Sequence, residues 1–361
     1  MKYKYLGRTG VQVSELCFGT MSFGEDADEE TSEQMYRRCR EAGINFFDCA
    51  DVYAGGKSEE LLGKFIANER EEVVITSKVY YPTDSDPNAR GASRRNIQLA
   101  VEKSLRRLQT DWIDVYYIHH FDEHTPVEES LRSLDDLVRQ GKILYPAVSN
   151  FSAWQIMKAL GISHYEQLAR FEVIQPMYNL VKRQAEVEIL PLAQAEGLAV
   201  TPYSPLGGGL LTGKYAGKTA PLKGRLVNNK MYETRYGEEW MAGAAAEFAR
   251  FARSLGYAPA SLAVAWVAHH PAVTAPIIGA RNLGQLEESL CAVELEMTEE
   301  LQRPIACHEL LHVERRDWLC IVLEEIVRSI LWFHPAVWWA LGKIHLSREQ
   351  VVDGDVLRIT G

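Results

Sequence analysis

The sequence predicts an α/β fold, a (β/α)8 TIM barrel that begins with an N-terminal hairpin and ends in a C-terminal helical appendage. Eight short, nearly continuous apolar runs recur over the first 300 residues, as strands of a parallel sheet covered on both faces do. Segments with helical periodicity separate these runs, which is the alternation of βαβ units. The composition then changes near residue 300. An open doubly wound sheet is the alternative that the same alternation allows.

Composition and charge narrow the class of protein. The chain has 361 residues, of which 47% are hydrophobic and 24% charged, as in an ordinary soluble globular protein. A net charge of −10 without a compact Lys/Arg patch argues against nucleic-acid binding. Six scattered cysteines without CxxC spacing predict reduced thiols. Because no signal-like or membrane-spanning apolar run is found, we expect a cytoplasmic protein.

The predicted barrel elements follow in chain order. Residues 2–13, which include Gly7 and Gly10, are expected to form a hairpin that closes the bottom of the barrel. The eight strand candidates are residues 16–20, 45–48, 73–78, 113–119, 144–150, 171–175, 199–203 and 275–279.

Two helix starts carry the pattern of a capping box. Residues 125–128 have Thr and Glu at the right spacing, with Pro126 at the first helical position, and residues 152–155 have Ser and Gln. Pro146 lies inside the fifth strand candidate and cannot donate a ladder hydrogen bond, so we expect that strand to be less regular.

Polar residues end consecutive strand candidates, where a barrel places its active site. Asp48 ends the second with Tyr53 beyond it, Lys78 ends the third and His119 the fourth. A buried Asp or Lys is costly unless paired, so we expect Asp48 and Lys78 to pair. Lys78 is then expected to lower the pKa of Tyr53 from about 10 toward working pH, which makes a tyrosine general acid. A neutral His119 could donate to a carbonyl oxygen.

The later strand candidates also end in polar residues. Ser149 and Asn150 end the fifth, Gln175 the sixth, and Tyr203 with Ser204 the seventh. Each alone could be an ordinary strand-end polar group or part of a surface salt bridge. Their joint occurrence on consecutive strands favours one shared site.

Eight segments, in order and spacing, resemble the aldo-keto reductase family. They are GVQVSELCFGTMSFG, NFFDCADVYAGGKSEELLG, VVITSK, DVYYIHH, AVSNF, VIQPMYNL, TPYSPLGGGLLTGKY and APIIGARNLGQLEESL. Within that family, the segments most resemble the potassium-channel-β-subunit-like and aryl-alcohol-dehydrogenase-like branches. The resemblance covers residues 1–300. It implies an NADP(H)-dependent oxidoreductase that reduces small-molecule aldehydes or ketones to alcohols.

The resemblance also implies a role for each matching residue. Tyr53 would be the proton donor, Lys78 would lower its pKa, Asp48 would pair with the lysine, and His119 would orient the carbonyl. The implied cofactor contacts run from the nicotinamide, through the pyrophosphate, to the pocket of the adenosine 2′-phosphate. They are Thr20, Met21, Ser149, Asn150, Gln175, Tyr203, Ser204, Leu206, Gly208, Lys214, Gly279, Arg281, Gln285 and Glu288.

Residues 301–361 form a different tail, with four of the eight Trp and four of the ten His. His308, Glu309 and His312 form an HExxH motif, whose histidines on one helix face can bind zinc beside a glutamate base. CHELLHVERRDWL and LWFHPAVWWALGKIHLSREQVVD resemble the membrane metallopeptidases that sense β-lactams, which implies Glu349 as a further zinc ligand.

Three functions remain open at this point. The first is an NADPH-dependent carbonyl reductase with an inert tail, and the second is a zinc metallopeptidase-like or sensor fusion with the barrel as carrier or regulatory domain. The third is a binding module without catalysis. The intact set of Asp48, Tyr53, Lys78 and His119 favours the first, and the missing membrane helices disfavour the second. The tail tryptophans need burial against the barrel or in a membrane interface. The oligomeric state stays open.

Overall fold

Eight parallel strands form the barrel in the computed structural model, and an antiparallel hairpin precedes them. The structure describes residues 1–215 and 224–298, residue 301, and a few later positions (326–327, 337–338, 340–341 and 343–344). The hairpin strands are β1 (Tyr3–Tyr5) and β2 (Gln12–Ser14). The barrel strands are β3 (Cys17–Gly19), β4 (Phe46–Asp48), β5 (Val74–Val79), β6 (Ile113–Ile118), β7 (Ile143–Ser149), β8 (Val173–Gln175), β9 (Ala199–Val200) and β10 (Ile277–Ile278). Every strand predicted from the sequence is present.

Helices follow the strands and cover the outside of the barrel. They are α1 (Glu29–Glu41), α2 (Lys57–Ile66), α3 (Arg94–Leu108), α4 (Val127–Arg139), α5 (Ala153–Glu166), α6 (Ile189–Glu196), α7 (Arg225–Asn228), α8 (Lys230–Tyr236), α9 (Glu239–Ser254), α10 (Pro259–His269) and α11 (Leu283–Leu290). Within the described part of the chain, no helix is both long enough and apolar enough to cross a bilayer.

The sheet closes on itself, which excludes the open doubly wound alternative. The ladder runs in the order β10-β3-β4-β5-β6-β7-β8-β9. Its two ends are joined because the N–H of Thr274 donates to the carbonyl of Val200 at 2.9 Å and the N–H of Ile277 donates to that of Pro202 at 2.9 Å. A closed barrel places the carboxyl ends of all eight strands around one opening.

The hairpin covers the opposite opening, as predicted. Leu6 and Val13 are fully buried and pack with the inward-facing residues of the barrel strands. Gly7 adopts a positive φ of 58°, and a Cβ there would lie 2.8 Å from the backbone nitrogen of Ala199. Only glycine fits such a left-handed position against another backbone.

Two local predictions differ from the structure. Thr125 does not cap α4: its hydroxyl donates instead to the Asp122 carboxylate at 2.8 Å, and Pro126 precedes the helix rather than opening it. The pairing of β6 with β7 also passes through Pro146, opposite Tyr116, without a bulge. The proline carbonyl still accepts a hydrogen bond, from Glu172 at 3.0 Å. The second capping box is supported, since the N–H of Ser152 donates to the Gln155 side chain at 2.9 Å.

A buried acidic cluster lies between α2, α3 and the strand ends. Glu59 is fully buried, accepts from the Ser77 hydroxyl at 2.5 Å and forms an ion pair with Arg107 at 2.6 Å. Asp51 is also buried, and within the described residues its Oδ1 has no hydrogen-bond partner. Burial first, and then the Glu59 carboxylate, raise the pKa of Asp51 to about 8. The cluster therefore holds Asp51 as a neutral acid at pH 7.

Asp51 is expected to make the protein less stable as pH rises. Its pKa is raised in the folded protein from 3.8, so between about pH 4 and 8 the unfolded chain ionises while the folded chain keeps the proton. The free energy of unfolding then falls by up to about 1.4 kcal/mol per pH unit. Asp51→Asn should remove this decline, as urea unfolding at pH 5, 6 and 7 would show. Equal pH slopes in parent and variant would contradict the assignment.

Candidate active site

Lys78 lies at the centre of a buried group at the carboxyl ends of β4 and β5. Its ammonium donates to Asp48 Oδ2 at 2.6 Å, to the carbonyl of Cys49 at 2.7 Å and to the hydroxyl of Tyr53 at 3.2 Å. The lysine side chain is fully buried, and Asp48 is 3% exposed. The ion pair expected from the sequence is therefore present, and all three donor positions of the ammonium are used.

Asp48 is fixed by further donors. Its Oδ1 accepts from the Thr76 hydroxyl at 2.8 Å and from the Gln175 amide at 2.8 Å. Thr76 lies two residues before Lys78 on β5, so both side chains point to the same face of the strand. These donors fix the Asp48 carboxylate, which in turn holds the Lys78 ammonium in one place.

The electrostatics of Tyr53 differ from the sequence expectation. Burial raises the pKa of the Tyr53 phenol well above its ordinary value, and the Lys78 ammonium lowers it only in part. Burial also acts to lower the pKa of Lys78, but Asp48 and Tyr53 raise it further, so the net shift is upward. The prediction that Lys78 brings the phenol toward working pH is wrong for this state of the protein. The group is a neutral phenol beside a firmly charged ammonium, an arrangement that can donate a proton.

His119 follows β6 and faces Tyr53. The two rings meet edge-on with centroids 6.1 Å apart, and the ring of Tyr81 lies 4.9 Å from the imidazole on another side. Burial, and then the Lys78 ammonium, lower the pKa of His119 well below its ordinary value, so the imidazole is neutral. Within the described residues its Nδ1 is buried without a hydrogen-bond partner. A neutral imidazole can donate to a carbonyl oxygen without carrying charge.

The residues expected at the nicotinamide form one hydrogen-bond network. The Tyr203 hydroxyl donates to Asn150 Oδ1 at 2.8 Å, and the Asn150 amide donates to the carbonyl of His119 at 2.9 Å and to Ser149 Oγ at 3.0 Å. Ser149 in turn donates to the carbonyl of Gln175 at 2.9 Å. Asn150 adopts a positive φ of 57°, a left-handed backbone conformation that is uncommon outside glycine and clusters at functional sites. Thr20, the residue after β3, is connected to this network through Asp48. Its N–H donates to the carbonyl of Asp48 at 2.8 Å, and the Asp48 carboxylate accepts from Gln175. Met21, the next residue, is partly buried.

The loop after β9 is a tight, glycine-rich turn. Ser204 has a φ of 57°, and its carbonyl accepts from the Asn179 amide at 2.9 Å. Leu206 precedes a short 3-10 turn, Gly207–Thr212, in which Gly208 has a φ of 67°. Lys214 follows, with its ammonium 5.1 Å from the centre of the Tyr215 ring. Glycines allow such a loop to bring its backbone close to a ligand.

The expected 2′-phosphate residues lie around the start of α11. Gly279 is exposed, and the nearest atom to a Cβ built there is 3.9 Å away, so this surface is open. The guanidinium of Arg281 pairs with Asp26 at 2.9 Å, and the backbone N–H of Arg281 donates to Gln285 Oε1 at 3.1 Å. Glu288 is exposed on α11. The sequence did not point to Asp26.

The expected zinc residues cannot be located. His308, Glu309, His312 and Glu349 lie outside the described residues, as does most of the tail. Among the residues that are described, no group of three His, Cys, Asp or Glu side chains is placed to hold a metal ion. The zinc site stays a prediction, which metal analysis of the full chain would test. The boundary at about residue 300 also stays a prediction.

Sequence reasoning missed several residues around the site. Thr76 could have been found, because a strand of alternating faces places it beside Lys78. Tyr81 and Arg235 carried no signal, since both lie in segments after a strand whose path is set by tertiary packing. Arg235 projects from α8 with its Cζ 5.9 Å from the centre of the Tyr203 ring.

Comparison with protein families finds two matches along the chain. The model of the aldo/keto reductase family matches residues 15–306. The model of the BlaR1 peptidase M56 family matches residues 290–361, a fifth of the chain.

Curated relatives match the barrel over most of their own length. An uncharacterized oxidoreductase, YrpG, of Bacillus subtilis is 40% identical over 84% of this chain and 94% of its own. A probable voltage-gated potassium channel subunit beta of Oryza sativa is 37% identical over 82% of this chain and 92% of its own. Norsolorinic acid reductase of Aspergillus flavus is 34% identical over 82% of this chain and 78% of its own.

Proposed function

The chain belongs to the aldo/keto reductase family, and on that premise we propose that it is an NADP(H)-dependent oxidoreductase that reduces aldehyde or ketone carbonyls to alcohols. The observation that carries this proposal is the three-way contact of the buried Lys78 ammonium with Asp48, Cys49 and Tyr53. A buried charged group held beside a phenol is expensive for a purely structural role, and perturbed groups of this kind cluster at functional sites. Two relatives are also named as an oxidoreductase and a reductase.

The residues present fit the proposed cofactor. Polar amides at Asn150 and Gln175 are suited to the carboxamide of a nicotinamide, and Tyr203 offers a ring for stacking. The glycine-rich turn suits a pyrophosphate, and the open surface at Gly279 suits the adenosine. Bound NADPH would supply a hydride to the carbonyl carbon.

The chain's own residues would supply the proton and orient the substrate. Tyr53 would donate its hydroxyl proton to the carbonyl oxygen, which becomes the alcohol oxygen. The Lys78 ammonium, 3.2 Å from that hydroxyl, stabilises the negative charge left on the phenolate. Asp48 keeps Lys78 charged and in place, and the neutral His119 hydrogen-bonds the carbonyl oxygen to fix its direction.

NADPH is expected to bind more tightly than NADH. The exchange of Asp26 for a phosphate would give Arg281 a charge-assisted contact, and loss of such a contact typically costs about 10-fold or more in affinity. Arg281→Met should therefore weaken NADPH binding and leave NADH binding nearly unchanged in fluorescence titrations. Arg37→Met, which breaks a surface pair with Glu33, is the matched control. Equal dissociation constants of the parent protein for NADPH and NADH would contradict the expected preference.

The proposed function is tested by NADPH oxidation against a panel of aldehydes and ketones. The full chain and a chain ending at residue 300 are compared, because the alternative of a metallopeptidase-like or sensor fusion makes the barrel a carrier or regulatory domain without this activity. Turnover by both supports the barrel as the enzyme. Absence of turnover with every carbonyl, together with intact NADPH binding, would favour a binding module instead. One relative is named as a probable channel subunit, a role other than carbonyl reduction.

A further inference from the structure

Helix α8 is fixed against the rim of the site by two buried tyrosines. The Tyr236 hydroxyl accepts from the Asn179 amide at 3.1 Å and lies 3.3 Å from the sulfur of Met177. The ring of Tyr232 packs so closely on Gly208 that a Cβ there would lie 2.7 Å from it. These contacts tie α8 to the segments that follow β8 and β9. The direction of Arg235, which lies between the two tyrosines, is therefore set by the fold.

Arg235 faces the site rather than a surface carboxylate. Its Cζ lies 5.9 Å from the centre of the Tyr203 ring and 6.0 Å from that of Tyr232. Its charge also contributes to the lowered pKa of His119, after burial, Lys78 and His120, which places the guanidinium within electrostatic reach of the imidazole.

No carboxylate among the described residues forms an ion pair with Arg235. Other arginines nearby in the chain do have such partners: Arg183 pairs with Glu186 at 2.9 Å, and Arg250 with Glu247 at 3.2 Å. Arg253, also nearby, donates instead to the backbone carbonyl of Thr212 at 3.1 Å. What sets Arg235 apart is therefore its position against the ring of Tyr203 at the site.

The ring contacts leave the guanidinium incompletely satisfied. Aromatic faces attract its charge but accept none of its five N–H donors in a normal hydrogen bond. Its planar fork matches the two oxygens of a carboxylate. An anion with paired oxygens would match this fork and supply the acceptors that the two rings lack.

We propose that Arg235 binds a carboxylate carried by the substrate, so that the preferred substrates are aldehydes or ketones with an acid group on the far side of the molecule. This inference rests on the proposed reductase function and adds the substrate class. In this arrangement Tyr53 and His119 hydrogen-bond the carbonyl oxygen of the substrate, and Arg235 binds its carboxylate. Arg235 thus selects the substrate and takes no part in the proton transfer.

The test compares matched carbonyl pairs that differ in charge. Butanal is paired with 4-oxobutanoate, and 4-methylbenzaldehyde with 4-carboxybenzaldehyde. The parent is expected to have the higher kcat/KM for the acid of each pair. Arg235→Gln should raise KM for the acids by about 10- to 100-fold, with kcat within about threefold and the neutral aldehydes unaffected. The KM of Arg235→Lys for the acids should lie between those of the parent and Arg235→Gln. An ammonium keeps the positive charge but lacks the two parallel N–H donors of a guanidinium. Arg250→Gln on α9 is the control and should match the parent.

Three results would overturn the inference. The first is a parent protein with the same kcat/KM for the acid and the neutral aldehyde of each pair. The second is an Arg235→Gln variant whose kcat/KM falls as much for the neutral aldehydes as for the acids, which indicates a structural role. The third is a weaker dissociation constant for NADPH in that variant, which assigns the guanidinium to an anionic group of the cofactor.

A binding measurement separates this inference from the reductase function. Calorimetric titration of 4-methylbenzoate into the NADPH complex reports the carboxylate contact without turnover. Binding that is lost in Arg235→Gln supports the site even where no carbonyl is reduced, in which case only the proposed reaction fails. Absence of binding in the parent overturns the carboxylate site, whatever the activity on neutral aldehydes.

Discussion

Replacement of Tyr53 by phenylalanine is expected to lower kcat for carbonyl reduction by about 10²- to 10⁴-fold, the usual cost of losing a general acid. The change removes the hydroxyl that lies 3.2 Å from the Lys78 ammonium. Asp48 and the carbonyl of Cys49 still accept from that ammonium, so the buried charge stays paired and the fold should persist. NADPH affinity should remain close to that of the parent, because the hydroxyl acts on the substrate oxygen.

Steady-state kinetics with one good aldehyde, together with an NADPH titration, checks this expectation. Tyr145→Phe is the matched control, since it removes a hydroxyl that contacts the carbonyl of Thr9 in the N-terminal hairpin, away from Tyr53. The control should keep the parent kcat. A Tyr53→Phe enzyme that turns over within about threefold of the parent would refute the role of Tyr53 as proton donor.

Lys78→Met is expected to damage both stability and activity. It leaves the Asp48 carboxylate buried without its cation, and removal of one partner from a buried pair typically costs about 3–5 kcal/mol of unfolding free energy. The double variant Asp48→Asn/Lys78→Met should recover much of this stability, because neither charge is then left alone. It should not recover activity, since the phenolate would form without its ammonium.

Urea unfolding of the parent and both variants measures these free energies. Arg37→Met serves as the surface reference, because its exposed pair with Glu33 should be worth no more than about 1 kcal/mol. Equal loss of stability in the single and double variants would show that the Asp48 charge is not the cause. Retained activity in Lys78→Met would contradict the account of proton transfer.

The strands and the strand-end residues could be predicted from the sequence because each depends on a local pattern. Buried parallel strands are continuous apolar runs, and their carboxyl ends meet at one opening, so Asp48 and Lys78 had to lie close together. The direction of the Tyr53 pKa could not be predicted, because burial of the phenol outweighs the lysine and depends on the whole fold.

The remaining differences also have tertiary causes. Thr125 has the sequence of a cap, yet the Asp122 carboxylate competes for its hydroxyl. Arg235 lies on a short helix that is held by Tyr232 and Tyr236, whose partners are far away along the chain. No local pattern records such contacts, so the position of Arg235 beside Tyr203 became visible only in the structure.

The central claim is that the barrel moves a hydride to a carbonyl carbon while Tyr53 protonates the oxygen. Single turnover with NADPH that carries deuterium at C4 of the nicotinamide, on the transferred face, tests it most directly. The account predicts one alcohol formed per NADPH oxidised, with deuterium on the carbon that was the carbonyl carbon, and almost no product in Tyr53→Phe. Alcohol without deuterium at that carbon, or NADPH oxidation without alcohol, would contradict it.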